Sequence, residues 1–122
     1  MAPQWLGWKQ SPIEYVHAVK FYYELIRDGR IKIIRKIKEP VTYQEPCNII
    51  RNAGYKDMLM YIIEAVCEDI RDPYPNGMHN FCCIAGGGVI NCGPPYKMVR
   101  MEGNRIKAEQ FRETGAHIII SP

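Results

Sequence analysis

The stretch from Lys56 to Arg71 sets the tightest condition on what this chain can fold into. Leu59, Ile62, Ile63, Val66 and Ile70, joined by Met58 and Cys67, recur at three- and four-residue spacing and call for an amphipathic helix with a broad buried face. Its other side carries Glu64, Glu68 and Asp69, which read as a solvated face because no histidine accompanies them. Directly after it, Asp72-Pro73-Tyr74-Pro75-Asn76-Gly77 forces a loop, since two prolines and an Asn-Gly cannot continue a helix.

Upstream of this centre the pattern is also helical. Ser11-Pro12-Ile13-Glu14 has the form of a capping box, so a helix is expected from Ser11 to about Arg27, with Tyr15, Val19, Tyr22 and Ile26 on its inner face and Asp28-Gly29 as its stop. Arg30 to Lys38 is ambiguous between strand and helix, with helix favoured, and Glu39-Pro40 ends it in either case. Glu45-Pro46 starts a further short helix over Cys47 to Ala53, closed by Gly54. Residues 1–10 form an N-terminal arm carrying Trp5 and Trp8.

Beyond residue 78 the texture changes to short apolar runs punctuated by glycine, the signal for strands and turns. Phe81 to Ala85 and Val89 to Cys92 flank Gly86-Gly87-Gly88 as a hairpin, and Lys97 to Glu102 and Arg105 to Gln110 flank Gly103-Asn104 as a second. In that second register Arg100 faces Lys107, two like charges that suggest an anion-facing patch. A helix from Asn104 to Thr114 closed by Gly115 is the competing reading, and His117 to Ile120 is the final strand. At 122 residues and 47% hydrophobic, the chain suits one core. The expected fold is therefore α+β: an N-terminal half of three to four helices packed with a small C-terminal antiparallel sheet, residues 11–122 forming a single domain after the arm.

Charge is concentrated in one place. Arg27, Arg30, Lys32, Arg35, Lys36 and Lys38 stand against Asp28 alone, a local balance of +5 in a chain of net +3. Clustered cations release counterions on neutralising phosphates, so nucleic acid, RNA first, is the expected ligand of Arg27, Arg30, Lys32, Arg35, Lys36 and Lys38, extended by Arg100, Arg105 and Lys107. Isoleucines between these charges would pack inward and hold them to the fold. The same surface beside Trp5 and Trp8 suits an anionic membrane, or a partner protein in a matrix-like role, as the alternative.

Catalytic motifs are scarce. His79, Cys82, Cys92 and His117 form the best zinc candidate, without the paired knuckles of a strong signature, and Cys82 and Cys83 read by default as structural thiols. A cysteine nucleophile with His79 or His117 as base has no local motif behind it. Gly86-Gly87-Gly88 is neither a Walker loop nor a dinucleotide fingerprint. The expectation is a non-enzymatic, polyanion-binding accessory protein without a cofactor, zinc and cysteine-dependent catalysis being the lower alternatives. Five cysteines, an odd number, suit a reducing compartment, and with no apolar run of about 18 residues and no secretory signal the expected place is cytoplasm or nucleus, with a homodimer as the expected assembly.

Overall fold

A computed structural model describes residue 7, residues 9–86 and residues 91–122. In chain order it contains helix α1 (Ala18–Arg27), strand β1 (Val41–Tyr43), a π-helical turn (Asn48–Asn52), helix α2 (Lys56–Val66), a 3-10 turn (Gly77–His79), helix α3 (Tyr96–Glu113) and strand β2 (Ile118–Ile120). The fold is mostly helical around a very small parallel sheet.

Helix α2 buries Leu59 and Ile63, as its periodicity requires, against Val19 of α1, Val41 and Tyr43 of β1 and Ile49 and Ile50 of the π-helical turn. Each such aliphatic side chain, taken from water, contributes roughly 1.5–3 kcal/mol. The Tyr23 and Tyr61 rings meet edge-on at 5.1 Å where α1 crosses α2. The helix ends at Val66, short of Arg71, because Cys67 turns extended and its segment pairs with residues 37–41. Ile37 N–H donates to the Val66 carbonyl at 2.8 Å, Glu68 N–H to the Ile37 carbonyl at 2.9 Å and Arg71 N–H to the Val41 carbonyl at 2.8 Å. On its other side β1 pairs in parallel with β2, Val41 opposite Ile118 and Tyr43 opposite Ile120. Held on both sides, Val41 and Thr42 are fully buried.

This arrangement corrects the expected antiparallel C-terminal sheet. Parallel strands need long crossovers, and α2 and α3 supply them, so the span assigned to the Lys97–Gln110 hairpin is helix throughout. The helical alternative over Asn104–Thr114 describes the observed conformation, extended back to Tyr96. For the other hairpin, Phe81–Ala85 forms no strand, and the Gly87–Gly88 turn with the start of its second strand lies outside the described residues, as do Trp5 and Trp8.

Two helical expectations upstream are corrected as well. Helix α1 begins at Ala18, where His17 Nδ1 accepts from the Val19 N–H at 3.2 Å, while Ser11 only closes a local turn with Ile13. Residues 30–38 are not helical: pairing of Ile37 with Cys67 wins over local periodicity, and Ile34 is left 97% exposed, so the isoleucines do not form one inward side. Among the described residues no helix is long and apolar enough to cross a membrane.

Candidate functional site

The most unusual residue in the fold is Lys107. It lies on α3 and is buried, at 3% exposure, although an ammonium group taken from water needs strong compensation. Its Nζ donates to Asn80 Oδ1 and to Gln110 Oε1, each at 2.6 Å, and sits 4.6 Å from the centre of the Phe111 ring. Asn80 is buried too and ties three segments together. Its Nδ2 donates to the Glu45 carbonyl at 3.0 Å, and its own carbonyl accepts from the Arg51 guanidinium. Gln110 in turn donates to the Pro75 carbonyl. Glu45, equally buried, accepts from the Gly77 N–H through Oε2 at 2.6 Å, and its Oε1 has no hydrogen-bond partner among the described residues. Gly77 takes φ 61 there, and a side chain at that position would run into the Lys56 ammonium.

Three of the cysteines lie within three residues of this network along the chain. Cys82 and Cys83 follow Asn80 by two and three residues, Cys82 exposed and Cys83 half-buried, with Cys82 Sγ accepting from the Ile84 N–H at 3.3 Å. Burial pulls the Lys107 pKa below the ordinary lysine value, and nearby groups, Glu45 foremost, work against that pull. Cys47 is exposed and leads into the π-helical turn two residues beyond Glu45. Cys67 is different: it is buried in the core, which pushes its thiol pKa up, and it serves packing. The backbone leaves the thiol pair through Ile84 at φ 50, a left-handed conformation that costs a β-branched residue roughly 1–2 kcal/mol. Ile84 settles against Gly103, whose missing side chain makes the room.

The residues expected to bind anions are dispersed. Arg27 pairs with Asp28 at 2.8 Å and stacks on Tyr23, and Lys36 donates to the Glu64 carbonyl at 2.6 Å, while Arg30, Lys32, Arg35 and Lys38 are exposed along an irregular segment. Arg105 reaches Glu102 at 3.6 Å and Glu109 at 3.9 Å, Arg100 is half-buried on the same helix, and Lys107 points into the protein. His79, Cys82, Cys92 and His117 are all exposed, and among the described residues no three His, Cys, Asp or Glu side chains gather closely enough to hold a metal ion. Sequence reasoning missed Glu45, Asn80 and Gln110, whose importance comes only from burial, and it set Lys107 on the outer surface when the side chain faces inward. Adjacency of Cys82 and Cys83 was the one signal that pointed here.

Comparison with known proteins gives this geometry its context. The model of the CCG cysteine-rich domain family matches residues 41–122. The chain is 32% identical over 121 residues to a subunit of the dihydromethanophenazine:CoB--CoM heterodisulfide reductase from Methanosarcina barkeri, covering 98% of this chain and 28% of the relative. It is 32% identical over 107 residues to the corresponding protein of Methanosarcina mazei, covering 86% and 25%. To the Hdr-like menaquinol oxidoreductase iron-sulfur subunit 2 of Archaeoglobus fulgidus it is 28% identical over 116 residues, covering 88% and 20%. The chain therefore spans between a fifth and under a third of the length of these relatives. No solved structure shows a significant match.

These matches overturn the functional expectation. A cysteine-rich family over two thirds of the chain, and relatives that are oxidoreductase subunits, displace the non-enzymatic accessory protein binding RNA or other nucleic acid. Nucleic acid is withdrawn as partner, since the relatives are named as subunits of protein assemblies, and the cofactor-free reading is withdrawn beside relatives named as iron-sulfur subunits.

Proposed function

We propose, because this chain belongs to the CCG cysteine-rich domain family, that it is an iron-sulfur redox module of an oxidoreductase and works with protein partners in a multi-subunit assembly. The observation that carries the proposal is the adjacent thiol pair Cys82-Cys83, inside the matched region and two residues after Asn80, which is bonded to the buried Lys107. Heterodisulfide reductase subunits are the relatives at 32% identity, so the reaction class assigned is reduction of a disulfide to two thiols, two electrons and two protons being consumed for each bond broken.

Iron-sulfur clusters are held by cysteine thiolates, four for the common types. This chain offers the right donor chemistry in Cys82, Cys83 and Cys47, which stand within three residues along the chain of Asn80 or Glu45, themselves joined by a hydrogen bond. It does not offer a finished cradle, because the described residues bring no three such donors together. A bound cluster would supply one-electron transfer. What the protein's own residues do is hold the pair: Asn80, bonded to Lys107, fixes the segment before it, and Ile84, seated on Gly103, fixes the segment after it.

Anaerobic reconstitution with iron and sulfide, followed by iron and acid-labile sulfide analysis, is the test. Cys82→Ala and Cys83→Ala should each lose most of the bound iron, whereas Cys67→Ala should keep it. Iron at background level in the unaltered protein, or undiminished iron in the Cys82→Ala and Cys83→Ala variants, overturns the reading.

A further inference from the structure

We infer that residues 30–38 are a docking surface for a partner subunit, and that they take an acidic segment of it with an apolar side chain between its carboxylates. This rests on the proposal above that the chain works in a multi-subunit assembly, and gives one of those partners its chemistry.

Residues 32–36 belong to no helix or strand, yet the segment is held in place at both ends. The Arg30 and Ile31 N–H groups donate to the Leu25 carbonyl at 2.9 and 3.1 Å, and the Ile37 N–H donates to the Val66 carbonyl at 2.8 Å. Lys36 Nζ adds a third tie, to the Glu64 carbonyl at 2.6 Å. Between these anchors the main chain of residues 32–36 forms no backbone–backbone hydrogen bond among the described residues, so its N–H and C=O groups are open to a second chain. A surface already fixed loses little conformational freedom when a partner lands on it.

The charge of this surface is not answered within the molecule. Lys32, Arg35 and Lys38 are exposed and make no ion pair among the described residues, and Lys36 is bonded to a neutral carbonyl. Two open concavities share Arg35 as a wall. One, of about 660 Å³, is lined by Lys32, Ile33, Ile34, Arg35 and Val66. The other, of about 570 Å³, is lined by residues 35–39, with Glu39 its single acid.

The aliphatic part of the surface selects the kind of partner. Ile34 is 97% exposed and Ile33 36% exposed, and both stand between Lys32 and Arg35. A phosphate backbone answers cations but gives isoleucines nothing to pack on. A bilayer meets a flat or protruding face, whereas concavities beside Ile34 call for side chains that enter them. A protein segment supplies both parts, an apolar contact at the centre and carboxylates around it.

The test is peptide binding to the full chain under reducing conditions, read by fluorescence anisotropy. The probes are a synthetic glutamate-leucine peptide, its glutamate-serine counterpart, a single-stranded RNA oligonucleotide and phosphatidylglycerol vesicles. The glutamate-leucine peptide should bind tightest, and roughly tenfold tighter than the serine peptide, the size expected for covering one isoleucine. Lys32→Ala, Arg35→Ala and Lys38→Ala combined should weaken both peptides roughly tenfold, and added salt should weaken them further. Ile34→Ser, at a position outside the core, should remove the advantage of leucine over serine and leave the serine peptide unchanged. Equal binding of the two peptides, tighter binding of RNA or vesicles, or binding unmoved by either variant overturns the inference. Self-association of the chain that Ile34→Ser abolishes overturns it too, because the occupant is then a second copy. Iron loading without peptide binding removes this surface alone, and peptide binding without iron removes the redox reading alone.

Discussion

Ile84 fills the space that a side chain on Gly103 would need, so the exit of the thiol pair and the middle of α3 are fitted to each other. In an exposed helix interior, replacing glycine by alanine gains about 1 kcal/mol. Here the sign should reverse. Gly103→Ala is expected to lower stability by about 1–2 kcal/mol in urea denaturation, the usual cost of overpacking. Adding Ile84→Gly should remove the clash and also the unfavourable φ, so that the double variant is more stable than Gly103→Ala alone.

Tyr43, 1% exposed, donates from its hydroxyl to Asp72 Oδ1 at 2.8 Å. Burial first, and the bond to Asp72 second, push its pKa well above the ordinary tyrosine value of 10.0. Above about pH 10 the unfolded chain therefore releases this proton while the folded chain keeps it, and stability falls with pH by up to ~1.4 kcal/mol per unit from this group. Thermal melts between pH 8 and pH 11 should show a shallower decline in Tyr43→Phe than in the unaltered protein.

Cys67 and the paired cysteines should separate cleanly by substitution. Cys67→Ala opens a small space in the core and should cost on the order of 1 kcal/mol in stability. Cys82→Ala, at an exposed position, should leave the melting temperature within about 2 °C, a change of less than ~0.5 kcal/mol.

Arg71 joins the central strands to the end of α3. It bonds the Gly115 carbonyl at 3.0 Å and the Thr114 carbonyl at 3.3 Å while pairing with Asp69 at 3.2 Å. These carbonyls are among the unpaired groups at a helix end. Arg71→Ala should destabilise by about 1–2 kcal/mol, and hydrogen exchange should quicken first around residues 114–118.

The sequence showed what depends on local spacing and hid what depends on distant contact. Leu59 and Ile63 announced α2, but its end at Val66 is decided by pairing of Cys67 with Ile37, which no window of sequence contains. Helix α3 was concealed because Met98, Val99, Met101 and Ile106 are all exposed, so its apolar residues trace no inner stripe, and because Gly103-Asn104 reads as a turn until Ile84 explains the glycine. Lys107 looked like surface because lysine usually is. The dense charge of residues 27–38 drew the functional reading away from a two-letter feature, Cys82-Cys83, whose meaning rests on the buried amides and ammonium behind it.

Asn80 also has a kinetic consequence. Its partners Arg51, Glu45 and Lys107 lie 29, 35 and 27 positions away along the chain. Contacts that distant close slowly, after helices such as α2 and α3 have formed on their own timescale. The two cysteines are therefore set in place by late steps of folding, and a chain caught before those steps would present them without the anchors at Asn80 and Ile84 that give their segment its shape.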